Sequence, residues 1–132
     1  MKKAEVAKEV EGLFGSVPDW MGAFPESAVG DIWGMFKDVE LQKSAIPNKY
    51  KELIGLAVAA TSKCRYCTLF HTEAAKANGA TDDEIKDALL MGGATSFFSA
   101  WLNGTQYDFG KFKKETLAML EAAGKKAAAG KQ

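Results

Sequence analysis

Apolar residues recur at helical spacing along nearly all of this 132-residue chain, and no segment shows the strict alternation or the Asn-Gly turns of a sheet protein. The pattern predicts an all-α fold: a single-domain helical bundle of about six helices over residues 1–132. A first helix is expected over residues 2–15, with Val6, Val10, Leu13 and Phe14 on one side, ending before Pro18. A turn around Trp20 to Phe24 leads to a second, aromatic-rich helix that starts near Pro25 and carries Val29, Ile32, Trp33, Phe36 and Val39. A third opens at Pro47, buries Tyr50, Leu53, Ile54, Ala57 and Val58, and stops near Thr61 and Ser62. Ser62 is the expected N-cap of a fourth, which ends at Ala77-Asn78-Gly79. Thr81-Asp82-Asp83-Glu84 is a capping-box sequence for a fifth, which Gly92 and Gly93 are placed to divide. The last helix is expected over about 109–123, followed by a flexible Ala, Gly and Lys tail over 124–132.

The composition removes several classes of function. Lysine plus arginine equals aspartate plus glutamate at 17 each, so no basic field argues for nucleic acid or an anionic membrane. Charges scattered through Met1 to Gly12 break any signal-peptide core, and no run reaches the roughly 18 apolar residues of a membrane span. With two cysteines close together, no disulfide framework is expected and the reducing cytoplasm is the default compartment.

Those two cysteines and the chain's single histidine lie in one run, Cys64-Arg65-Tyr66-Cys67-Thr68-Leu69-Phe70-His71. On a helix, Cys64 and Cys67 are an i, i+3 pair and Cys67 and His71 an i, i+4 pair, so all three share a face. Their Cα atoms fall within disulfide reach, and a dithiol beside a proton carrier suits thiol redox chemistry. The short link between the third and fourth helices predicts an antiparallel hairpin. Glu52 lies about nine or ten residues before the turn and His71 about nine after it, at similar depth. Glu52, His71 and Cys67 would then form an orienter, a base and a nucleophile. The helix N-terminus and Arg65 favour thiolates at both sulfurs, and on electrostatics alone the roles of Cys64 and Cys67 are interchangeable.

Other readings of these residues exist. Cys64, Cys67 and His71 supply three of the four ligands of a structural zinc site, with no further Cys or His to complete it. Inert buried cysteines, a core histidine and a solvated Glu52 are the structural alternatives, and Tyr66 is either a wall of the site or ordinary packing. Glu73 reads as a surface charge. Trp33, Phe36, Phe97, Phe98 and Trp101 read as core or subunit interface, more than a chain this small easily buries.

The same residues carry a family resemblance. The stretch Lys51-Glu52-Leu53-Ile54-Gly55-Leu56-Ala57-Val58-Ala59, then Cys64-x-x-Cys67-x-x-x-His71, then Ala74-Ala75-Lys76-x-x-Gly79-Ala80-Thr81-x-x-Glu84-Ile85, resembles the AhpD-like branch of the carboxymuconolactone decarboxylase superfamily over residues 47–100. The resemblance implies an all-helical fold and obligate trimers or hexamers. It implies a thiol-dependent hydroperoxide reductase or disulfide oxidoreductase that needs no cofactor or metal. Its substrate would be a hydroperoxide or a disulfide, re-reduced by a thioredoxin-like, lipoyl or other dithiol donor. It places the peroxide-attacking sulfur at Cys67, the resolving sulfur at Cys64 and the proton relay at Glu52 and His71. Tyr66 stands where the peroxidase members carry a second histidine, and a phenol is a poor base at neutral pH. Decarboxylase members typically lack the cysteine pair, so lactone decarboxylation is disfavoured. A non-catalytic helical oligomer remains the alternative from another class. A thioredoxin-type fold is not expected, because it needs strands around its Cys-x-x-Cys.

Overall fold

The computed structural model describes residues 1–131, and all regular structure among them is helical. The chain forms two compact units, Met1–Leu89 and residues 90 onward. The first holds α1 (Lys3–Phe14), α2 (Asp19–Gly22), α3 (Val29–Phe36), a π-helical turn (Lys37–Leu41), α4 (Asn48–Thr61) and α5 (Arg65–Ala77). α6 (Asp82–Gly104) begins in the first unit, and α7 (Phe109–Gly130) belongs to the second. The count exceeds the expected six because the turn after Pro18 closes into a helical turn of its own, with Pro18 as N-cap.

Two apolar clusters organise the first unit. Val6, Val10, Val29 and Trp33 form one, lined by Val17, Met21, Phe24, Phe36 and Leu41. The Trp33 indole N–H donates to Glu9 Oε2 at 2.7 Å, and Lys37 reaches the same oxygen at 2.7 Å, so the one polar atom of this buried ring is satisfied. Leu56, Ala75 and Ile85 form the second cluster, with Leu53 and Ala80 beside it. This cluster ties α4, α5 and the start of α6 together. The α5 end and the α6 start follow the sequence closely. Gly79 takes φ 88° beyond the helix end, and Thr81 and Glu84 exchange reciprocal capping bonds of 2.8 and 3.1 Å.

Several expectations are corrected. In α4 the buried residues are Glu52, Leu56 and Ala59, whereas Tyr50, Ile54 and Val58 are exposed. The hairpin partner packs not on the apolar stripe but on the face that carries the glutamate and the small residues. Leu13, Phe14 and Val39 are likewise exposed. Ser62 does not cap α5; it is the C-cap of α4 and its hydroxyl donates to Val58 O at 2.8 Å. α6 runs unbroken through Gly92 and Gly93. α7 continues to Gly130 rather than ending near 123, as alanine- and lysine-rich sequence favours; of the expected tail, Gln132 lies outside the described residues. Of the aromatics read as core or subunit interface, Trp33 is core, and Phe97, Phe98 and Trp101 are exposed in the single chain.

Candidate active site

The α4–α5 turn fixes the first cysteine. Lys63 takes the left-handed conformation at φ 58°, its N–H donates to Ala60 O at 3.2 Å, and the Cys64 N–H donates to Ala59 O at 2.9 Å. This is the Schellman pattern. It makes Cys64 the last residue of the α4 closure and at once the N-cap of α5, where its Sγ accepts the Cys67 N–H at 3.2 Å. Cys64 and Cys67 are joined by a disulfide, with Cα atoms 5.4 Å apart. A sulfur at a helix N-terminus is stabilised as a thiolate by the free N–H groups and the dipole there. In this disulfide form neither sulfur can act as a thiolate ligand.

The second pair comes from the hairpin. Glu52 on α4 and His71 on α5 meet at 2.7 Å between Oε2 and Nδ1, as the depth argument requires. Glu52 is only 2% exposed and His71 is mostly covered, so neither is a solvated surface charge. A carboxylate can only accept, which puts the ring proton on Nδ1 and leaves Nε2 with a free lone pair. Gly55 permits this contact. A Cβ at that position would lie 2.6 Å from His71 Cε1 and 2.7 Å from Nδ1, so the imidazole rests directly on the α4 backbone. Phe70 packs edge-on to the ring at 5.3 Å and to Phe36 at 5.9 Å, linking α5 to α3.

The two pairs are one helical turn apart on α5, and among the described residues no hydrogen bond joins His71 to either sulfur in this disulfide form. Tyr66 is 81% exposed, so it does not pack in the core of the single chain. A shallow depression beside the disulfide is lined by Lys63, Cys64, Arg65, Thr68, Leu69 and Thr72. Glu73 is an exposed charge near Lys76, as expected.

Glu40 and Gly55 are the site residues the sequence reading missed. The Glu40 carboxyl, from the π-helical turn, lies with Glu52 and His71 in a group in which one polar atom from each residue is within 4.8 Å of the other two. Burial holds its carboxyl above the ordinary glutamate value, and hydrogen bonding to Glu52 and the charge of Glu52 add to this, against His71 and Lys51. Such a trio has the spacing of a cation site, but the 2.7 Å bond commits Nδ1 and one Glu52 oxygen to each other, which makes it an acid–base cluster. The one sequence signal for Glu40 is its position seven residues after Trp33, where the apolar Val39 next to it fits the expected stripe better.

The chain is similar to known proteins along most of its length. Residues 27–107 match the model of the carboxymuconolactone decarboxylase family. An uncharacterized protein of Cupriavidus necator is 32% identical over 83 residues, 63% of this chain and 69% of that protein. Uncharacterized protein 4 in the cox locus of Paracoccus denitrificans is 29% identical over 65 residues, which span 49% of this chain and 59% of that one. The crystal structure of the alkylhydroperoxidase AhpD core from Rhodospirillum rubrum superposes with a TM-score of 0.71 at 25% identity, covering 80% of this chain and 81% of that one. With the helical hairpin, the Cys-x-x-Cys disulfide and the glutamate–histidine pair all in place, the chain belongs to the carboxymuconolactone decarboxylase family and has its AhpD-like fold.

Proposed function

We propose that this protein is a thiol-dependent oxidoreductase that reduces hydroperoxides by cycling Cys64 and Cys67 between dithiol and disulfide. The observation that carries the proposal is a disulfide at the N-terminus of α5, one turn from a buried glutamate–histidine pair. In the reduced protein, His71 Nε2 takes the Cys67 proton while Glu52 holds the ring and stabilises its charge. The Cys67 thiolate attacks one oxygen of the hydroperoxide and the O–O bond breaks. The departing alkoxide takes a proton from the imidazolium and leaves as the alcohol, with a sulfenic acid on Cys67. The Cys64 thiolate, stabilised at the N-cap, then attacks that sulfur, and the hydroxyl leaves as water after gaining a proton. The balance is one hydroperoxide and two thiols to one alcohol, one water and one disulfide. A dithiol donor of thioredoxin-like or lipoyl type returns the two electrons by thiol–disulfide exchange.

Intact-mass measurement after stoichiometric hydroperoxide tests this. The reduced protein should lose two hydrogens, and Cys64→Ser should accumulate oxygen on Cys67; thiols left unchanged by peroxide would refute it. A second reading, in which the substrate is itself a disulfide, is favoured by the exposure of Cys67 and Tyr66, since a bulky disulfide can approach them. Faster turnover with disulfides than with hydroperoxides under one reductant would select it. We also propose that the exposed stripe of Tyr50, Ile54 and Val58 is covered by further copies of the chain in a trimer or hexamer, which sedimentation would reveal.

A further inference from the structure

Glu40 takes no part in the reaction scheme above, yet its position is held by a dedicated set of bonds. The π-helical turn that carries it closes with the Gln42 N–H donating to Lys37 O at 2.9 Å. Lys51, the neighbour of Glu52 on α4, donates to Val39 O at 2.9 Å and to Gln42 O at 2.8 Å. Asn48 donates to Leu41 O at 3.0 Å. Three carbonyls on either side of Glu40 are thus tethered to the helix that bears Glu52. π-helical turns are rare and concentrate at functional sites, because the extra residue re-aims the side chains around it. Here the turn brings a second carboxyl up to the Glu52–His71 pair.

Two carboxyls this close resist ionising together, which favours a proton held between them. Glu52 is buried and already accepts from His71, whereas Glu40 is only half-buried. The proton therefore belongs on Glu40, where it can also reach water. We propose that Glu40 is a positioning residue of this site: its carboxyl donates to Glu52, holds the Glu52 carboxylate toward His71, and exchanges the proton of the buried pair with solvent. The charged and titratable groups facing it are Glu52, His71 and Lys51, and the last two oppose the retention of its proton. When Glu40 does ionise, a second negative charge appears beside the imidazole.

The inference rests on Glu52 and His71 being the proton-carrying pair, but its primary test needs no turnover and so stands apart from the peroxide chemistry. His71 is the only histidine, so its ring resonances are unambiguous in NMR spectra of the intact oxidised protein. In wild type, the His71 ring shifts should show an inflection above the ordinary glutamate value of 4.5, arising from Glu40. Glu40→Gln should lose that inflection and Glu40→Asp should restore it. The carboxyl carbon of Glu40 in the wild-type protein should titrate over the same range, a measurement that needs no variant to fold. In the reduced protein, the single-turnover rate of thiol oxidation should lose the matching step in its pH profile in Glu40→Gln, which keeps an amide donor. Glu40→Ala, which does not, should be slower by about ten- to a hundredfold, the worth of one hydrogen bond to a charged group. An unchanged His71 titration in Glu40→Gln, or a Glu40 carboxyl titrating at its ordinary value, would overturn the inference. Saturable shifts of the His71 ring on adding zinc alone, lost in Glu40→Gln, would overturn it in favour of a cation site.

Discussion

Replacing Gly55 by alanine should destabilise the protein, although helix propensity alone argues for the opposite. Gly55 sits inside α4, where alanine is favoured over glycine by about 1 kcal/mol. The new Cβ would, however, fall 2.6 to 2.8 Å from three atoms of the His71 ring, closer than carbon atoms approach without displacement. Over-packing of this kind costs about 1–3 kcal/mol. Displacing the imidazole also breaks its 2.7 Å bond to Glu52, leaving a buried carboxylate short of a charge-assisted bond worth about 1.5–3 kcal/mol. The balance is a loss of about 1.5–5 kcal/mol. Urea unfolding of the oxidised protein, at one fixed protein concentration so that any assembly contributes equally, measures it. Gly34→Ala is the control, because a Cβ there meets nothing within 4 Å, and it should gain about 1 kcal/mol. If Gly55→Ala proves as stable as wild type or more so, His71 does not rest on α4 and the site geometry is wrong.

Other consequences follow from the same contacts. Lys63 holds a left-handed conformation that glycine adopts without a Cβ penalty, so Lys63→Gly should raise stability by about 1 kcal/mol in the same assay. Thr81→Ala removes one half of the capping box of α6 and should cost about 1 kcal/mol, read as a lower melting temperature. The Glu40 carboxyl is held above its ordinary value, so the stability it contributes is complete below pH 4.5 and is lost as pH rises through the raised value. Urea midpoints across that range should fall in wild type relative to Glu40→Gln; parallel curves would contradict the assignment.

The sequence made the hairpin and its two residue pairs legible because each rests on short-range geometry. A three-residue separation brings Cys64 to Cys67, though from the N-cap of α5 rather than from within the helix, and equal distances from one short turn bring Glu52 to His71. The Thr81–Glu84 capping box and the Gly79 helix end were equally local. What escaped depended on contacts distant in sequence. The inward face of α4 is chosen by the α5 residues packed on it, so Glu52, Leu56 and Ala59 are buried while the more apolar Tyr50, Ile54 and Val58 are not. Ser62 is a better N-cap than cysteine by propensity, but the left-handed Lys63 closes α4 first and hands the cap to Cys64. Glu40 was hidden because the α3 pattern points to the apolar Val39, and the π-helical turn that carries Glu40 to Glu52 and His71 leaves no mark in the spacing.

The central step is the activation of Cys67 by Glu52 and His71. Single-turnover oxidation of the reduced protein by a small hydroperoxide, followed across pH in wild type and in His71→Gln, decides this. At neutral pH the variant should be slower by about 100-fold or more, the usual share of a positioned base. Its rate should recover as rising pH ionises the thiol without help. Equal rates in the two proteins at neutral pH would contradict the account.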